Sequence, residues 1–356
     1  MTPGDTERPV AKSADDAAVS HAEGLLSTPA AQELALRQLR EHLDAWVQHE
    51  SGARHGTDPE ELHQLRVAAR RIEATLGVFK HQLPPRLVHA RKSAKGVLRA
   101  LGHARDLDVQ LAELRQYAAR LPEEERAAAA PLKTRLEHDR TRARARMVAM
   151  LDSEATRHWL ETLKVASADL AGATAAEAPR AATVLPERIR VRYRKLKKVV
   201  RRLDRRASMD DYHAVRRRAK QLRYAIECGA TLLGKPADDM LRSLRRLQDQ
   251  LGAQQDAHVA KSRLAALVAE TEPLPPETLF LMGRLAEHHL DTTRQARRTL
   301  ARAWRKVSGK RWKALRARMA EVSELAHLQS QLRAREPATA IAPELPALIE
   351  PHSVRH

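Results

Sequence analysis

The chain's 356 residues hold 64 Lys and Arg against 45 Asp and Glu, a formal net charge of +19, which points to an extended polyanion as partner and away from a cationic one. A lone cysteine, Cys228, excludes an internal disulfide and a multi-cysteine metal site, and no stretch offers the roughly 20 apolar residues needed to cross a bilayer. Aromatic residues make up only 3% of the chain, which leaves few rings for stacking nucleic-acid bases.

Residues 1–29 are acidic, proline-containing and rich in small side chains, and lack the basic start and apolar run of a secretory signal. They are expected to be a flexible tail on a soluble, cytoplasmic protein. From residue 30 onward apolar residues recur every three or four positions among Ala, Leu, Arg and Glu, so the fold class is all-α. The spacing predicts helices over 30–50, 58–81, 85–102, 105–121, 123–151 and 154–168, closing a first half at residue 170. A small-residue linker follows at 171–183. The second half, 184–333, carries predicted helices over 184–206, 209–233, 237–252, 255–270, 275–307 and 309–333, and 334–356 reads as a second flexible tail.

The halves resemble each other at an offset of 150 residues, as His63 and His213 show. The same shift, without a gap, places Leu101-Gly102 on Leu251-Gly252, Asp106 on Asp256, Val109 on Val259, Arg70 on Lys220 and Lys95 on Arg245. Asp58 with Glu61, and Ser208 with Asp211, are paired N-cap signals that open the same helix in each half. Matches concentrated at His, Arg, Gly and Asp mark an internal duplication, because leucines alone align by chance.

On the helix after Asp58, Leu62, Leu65, Ala69, Ile72, Leu76 and Phe79 form the apolar stripe. His63, Arg66 and Arg70 fall at i, i+3 and i+7 beside it, a column of positive donors. His213, Arg216, Lys220 and Arg223 repeat that column in the second half, with Tyr224 offering a hydroxyl. The following helices carry Lys92, Lys95 and Arg99, and Arg242, Arg245 and Arg246. The helix 184–206 adds Arg190, Arg194, Lys197 and Arg201 along a side that no nearby acids balance. Like charges at these spacings cost a helix about 0.2–0.5 kcal/mol per pair, so a ligand is expected to supply the counter-charge. Arg201, Arg202, Arg205, Arg206, Arg333 and Arg335 read as solubility charges.

The strings His63-Gln-Leu-Arg66-Val-Ala-Ala-Arg70 and Leu101-Gly102-His-Ala-Arg105-Asp106-Leu107-Asp108-Val109 resemble the first-half signature of the CHAD family, the conserved histidine α-helical domain. His213-Ala-Val-Arg216-Arg-Arg-Ala-Lys220-Gln-Leu-Arg223-Tyr224 and Arg245-Arg246-Leu-Gln-Asp-Gln-Leu251-Gly252 resemble the second, and the likeness spans residues 30 to 333. The resemblance implies two helical bundles, related by a pseudo-two-fold, around a central basic channel that binds inorganic polyphosphate, with residence on polyphosphate granules. The His, Arg and Lys columns of both halves would line that channel; the residues themselves offer no catalytic site, and no cofactor is expected. One departure is plain: Glu73 stands where the family often has Arg and where the second half has Arg223, so an uneven site is expected. The Glu-x-Glu-x-Lys motif of the CYTH triphosphatase, a frequent companion, is missing from this sequence.

Two other readings compete. Nucleic-acid binding would suit the charge, although no recognition-helix or RNA-binding signature is present. A metal-dependent phosphohydrolase would need converging ligands, for which His138-Asp139, Asp256 with His258, and His288-His289 are the candidates. His138-Asp139 and His288-His289 read as solvated helix faces, and the Arg residues around His63 and His213 disfavour a bound cation.

Overall fold

A computed structural model of the chain describes residues 28–168, 178–204, 206–268 and 274–335. Most of both expected tails, most of the expected linker and Arg205 lie outside the described residues, as do the side chains of Arg333 and Arg335. The first half consists of α1 (Ala31–His55), α2 (Pro59–Val78), α3 (Pro85–Ala118), α4 (Glu123–Arg126), a 3-10 turn at Ala127–Ala129, α5 (Ala130–Asp152) and α6 (Glu154–Ala168). The second consists of α7 (Ala181–Val200), α8 (Met209–Glu227), α9 (Ala230–Leu233), α10 (Lys235–Val268), α11 (Pro276–Ser308) and α12 (Lys310–Arg335). The described residues form an all-α fold.

Several boundaries differ from those predicted. The expected pair 85–102 and 105–121 is one 34-residue helix, α3, and the pair 237–252 and 255–270 is likewise one helix, α10. A single glycine inside a helix costs only about 1 kcal/mol relative to alanine. The buried stripe Leu98, Leu101, Ala104, Leu107, Leu111 passes Gly102 without a change of phase, so packing carries the helix through. The predicted 209–233 breaks instead, into α8 and the single turn α9, closed by Gly234 at φ 57 and ψ −146, a conformation open only to glycine. Helix α1 runs on to His55 and stops at Gly56, whose φ of 79 forms a left-handed cap. The predicted 123–151 is interrupted by the 3-10 turn, and α7 starts three residues before position 184.

The 150-residue offset recurs in the helix bounds: α1 and α7 start at 31 and 181, α2 and α8 at 59 and 209, α3 and α10 at 85 and 235. It recurs also in bonding. Ala31 N–H donates to Pro179 C=O (2.8 Å) and Ala181 N–H to Pro29 C=O (3.0 Å), a reciprocal pair of the kind a two-fold relation produces. Within each half, the second helix packs against the first and the third: α2 on α1 and α3, α8 on α7 and α10. The halves meet where α2 packs on α8 and α1 on α7. There Gln38 donates to the carbonyl of Cys228 (2.9 Å), and Arg192 to that of Gly77 (3.1 Å). Farther out, Arg263 pairs with Asp139 and Arg284 with Glu125.

The predicted stripe of α2 is buried throughout, as are Val215, Ala219, Leu222 and Ile226 of α8. Helix α8 opens on a full Ser208–Asp211 capping box. Asp58 caps α2 through Glu60 N–H (2.8 Å), but Glu61 turns away to His49 (3.0 Å) rather than closing a box. No described helix is long and apolar enough to cross a membrane. Ile72 is fully buried at the centre of the α2 stripe. Ile72→Ala should therefore lower unfolding free energy by about 2–5 kcal/mol in chemical denaturation followed by circular dichroism. Val47→Ala, at a 59% exposed position of α1, should change it by less than about 0.5 kcal/mol.

Candidate functional site

The apolar stripes of α2 and α8 are buried, which leaves the basic columns beside them at the junction of the two halves. Arg66 reaches across to Gly102 of α3: its Nε lies 3.9 Å from where a Cβ at that glycine would stand. Arg216 repeats the approach to Gly252 of α10, with Nη2 at 3.7 Å from the equivalent point. These are ordinary contact distances, so the glycines leave open space beside each guanidinium rather than relieve a clash.

The two columns sense each other's charge. Burial is the first cause that lowers the Arg66 pKa, and the nearby Arg70 and Arg216 lower it further, against the opposing influence of Asp106 and Tyr224. Lys220 is pushed down to about 7, by burial first and then by Arg216, Arg66, Arg70 and Arg223. A lysine displaced that far reports a crowd of cations withdrawn from water.

Among the described residues, Arg66, Arg70, Arg216 and Lys220 form no ion pair with a carboxylate. The Nε atoms of Arg66 and Arg216 are buried without a hydrogen-bond partner. Each such orphaned donor costs about 1–3 kcal/mol, more where the group is charged. Arg223 differs, for its guanidinium lies 4.9 Å above the Tyr224 ring and its Nε is 3.4 Å from a Glu227 oxygen. The junction thus gathers several half-buried cations, and at least the Arg66 and Arg216 Nε donors are unspent. Chemically that is an anion site.

Two carboxylates also face this group: Asp106, a landmark of the repeat, and Asp256, a landmark too and weighed besides with His258 as a metal ligand. Asp106 and Asp256 each lie one helical turn beyond the glycine that Arg66 or Arg216 approaches. Burial is the first cause raising the pKa of both, while Arg66, Arg216 and Lys220 pull the other way. Their recurrence at the 150-residue offset, four positions after a glycine, was the available signal.

None of the remaining predicted residues is among the charges that shift Arg66 or Lys220. His63 is half-buried at the edge of the group; burial is the first cause lowering its pKa, Glu60 opposes, and Arg105 and Arg66 add to it. His213 is exposed and engaged in a contact. Lys92, Lys95, Arg99, Arg242, Arg245 and Arg246 lie on exposed faces of α3 and α10, and none is among the charges that shift Arg66 or Lys220. Arg242 is paired with Asp239. On α7, Arg194 is exposed and Lys197 half-buried. Glu187 reaches Arg194 at 3.0 Å, so one of the four cations of that column has an acid beside it.

Glu73 does not face the site as a free acid: Arg91 of α3 binds it at 2.8 and 3.1 Å. The candidate metal ligands also diverge from expectation. Asp139 is held between Arg135 and Arg263 rather than solvated, and His289 is buried, its pKa lowered first by burial and then by His288. Among the described residues no three His, Cys, Asp or Glu side chains gather as a metal-holding group.

Comparison with known proteins matches these elements. The CHAD domain family model fits residues 37–265, a span that contains the whole basic junction. The crystal structure of the CHAD domain from the plant Ricinus communis superposes with a TM-score of 0.59 at 22% identity, over 83% of this chain and 93% of that one. PptA from Streptomyces chartreusis superposes with a TM-score of 0.58 at 22% identity, over 78% of this chain and 100% of that one. At such identity the likeness speaks for the fold alone. Among curated proteins, none matches the chain. With a family match over well more than half of its length, an all-α fold and both halves' motifs in place, the chain belongs to the CHAD family.

Proposed function

We propose that the chain binds inorganic polyphosphate in a basic channel between its halves, with Arg66, Arg70, Arg216, Lys220 and Arg223 gripping the phosphates and Tyr224 adding a hydroxyl. The observation that carries this reading is the meeting of four cations from α2 and α8, none of which is held in an ion pair among the described residues. A linear phosphate chain repeats its charge at every unit, so one strand can satisfy cations from both halves at once. Each guanidinium can bond two phosphate oxygens, while Lys220 contributes a point charge. Lys92, Lys95, Arg99, Arg242, Arg245 and Arg246 would then act as exposed approach surfaces that guide the polyanion in, with His63, His213, Arg194 and Lys197 at the margins. The reading is of binding without turnover, in the cytoplasm and on polyphosphate granules.

Binding of this kind releases counterions and weakens steeply with added salt. Arg66→Glu combined with Arg216→Glu should lower polyphosphate affinity by at least about 100-fold in a titration at moderate salt, with helicity unchanged. Retained affinity would remove the site from the junction. The wild-type protein should prefer polyphosphate to tRNA or duplex DNA in competition at matched ionic strength; the reverse order would favour the nucleic-acid reading. Purified protein incubated with polyphosphate should release no phosphate.

Lys220 sets a pH dependence. A bound phosphate next to it restores its proton, so the complex holds more protons than the free protein. Affinity should be highest below about 7, where free Lys220 is already charged, and fall as pH rises from there toward the ordinary lysine value of 10.5. Lys220→Arg, charged throughout, should flatten that alkaline limb when affinities are measured across the range.

A further inference from the structure

The anion site contains its own anions. Asp106 on α3 and Asp256 on α10 occupy equivalent positions in the two halves, each one turn beyond the glycine approached by Arg66 or Arg216. Neither is locked into an ion pair by the cations it faces, and both remain at least partly open to solvent. We infer that Asp106 and Asp256 are built-in counter-ions of the site, which hold the empty cationic group together and take up protons from water when a polyphosphate chain replaces them. The inference rests on the polyphosphate-binding reading and concerns the same site.

The groups that surround the pair come from five helices. Arg66 of α2 and Arg216 and Lys220 of α8 face both carboxylates. From α3, His103 faces Asp106, and Glu113 lies near Asp256. Helix α10 brings Asp256 close enough to Asp106 that the two carboxylates repel each other. Helix α11 brings His288 and His289 to the far side of Glu113, around a cavity of about 200 Å³ that Tyr117 and Arg120 also line. Without a ligand, the two carboxylates are the acids among the described residues that Arg66, Arg216 and Lys220 all face, so ionised Asp106 and Asp256 lower the repulsion among them. A phosphate chain seated on the same cations does that work with more charge, and it repels the carboxylates. Asp256 is half-buried and Asp106 keeps an exposed side, and the burial each does have disfavours its ionised form. The consistent response is protonation: each carboxylate accepts one proton from solvent, and no other bond is made or broken.

Sign and window follow. The complex binds more protons than the free protein, so affinity rises as pH falls through the range between the free and the bound carboxylates' titrations. That range lies on the acid side of neutrality, above the ordinary aspartate value of 3.8. Lys220, which titrates at about 7, is charged only toward the acid end of that range, so proton uptake at about pH 5.5 reports the carboxylates while uptake at about pH 7 includes Lys220. His63, beside Arg66, does titrate nearby, so a variant is needed to isolate the carboxylates.

The test compares wild type with Asp106→Asn combined with Asp256→Asn. Polyphosphate binding is measured by calorimetry at about pH 5.5 and about pH 7, in buffers of different ionisation heat, and unfolding is measured without ligand. Wild type should take up protons on binding. The double variant should bind about ten-fold more tightly near neutrality, take up fewer protons and show a flatter acid limb. Without ligand it should melt earlier, and added salt should recover that loss. Opposite signs for binding and stability are the signature, since a merely structural pair would weaken both. Unchanged or weaker binding with undiminished proton uptake overturns the inference and leaves the polyphosphate reading standing. Failure of wild type to bind polyphosphate overturns both. Should the double variant not fold, Asp256→Asn alone must show the same signs at reduced size, and wild-type proton uptake, which needs no variant, must still be present.

Discussion

The arrangement depends on cations being held together against their own repulsion. Arg66, Arg70, Arg216 and Lys220 stay within mutual influence because the apolar stripes of α2 and α8 behind them are fully packed. Burial of one large apolar side chain contributes about 1.5–3 kcal/mol, and the two stripes together hold eight of them, so the core has the capacity to pin a group that electrostatics alone would scatter. The hydrophobic core therefore does more than fold the chain: it stores positive potential at the line where the halves meet.

Doubling is what makes that possible on one chain. A single half presents one column, flanked by solvent, and solvent would screen it. Pairing two halves through reciprocal bonds at Ala31 and Ala181, and through α2 against α8, turns the columns toward each other and withdraws them from water. The halves are not equal in detail. Where the second half has Arg223 over Tyr224, the first has Glu73, yet Arg91 binds that acid and removes it from the balance. The unevenness expected from the substitution is therefore moderated inside the first half, and the stronger grip lies with α8.

Much of this was legible in the residues, for identifiable reasons. Helical periodicity, the 150-residue offset and the position of Arg66, Arg70, Arg216, Lys220 and Arg223 beside an apolar stripe are all local properties, and a local pattern survives into the fold. What was not legible was tertiary. Gly102 and Gly252 look like breaks in sequence, but buried neighbours on both sides carry α3 and α10 straight through them. Asp139 looked solvated until Arg263, 124 positions away, arrived to bind it. Lys95 and Arg99 fall on the same face of α3 as Gly102 and Asp106, yet they stay exposed, and spacing alone cannot say how far along a helix face a neighbouring helix will cover it. The inward role of Asp106 and Asp256 is hidden similarly, since an acid on an Arg-rich helix reads as a surface charge.

The central claim is that the two columns make one site rather than two. The most direct measurement is the stoichiometry of a short linear oligophosphate bound by wild type, by Arg66→Glu and by Arg216→Glu, taken from one calorimetric titration each. A shared site predicts one ligand per chain in wild type and a large loss of affinity in either single variant. Two ligands per chain, with each variant losing one and keeping the other at full strength, would contradict it.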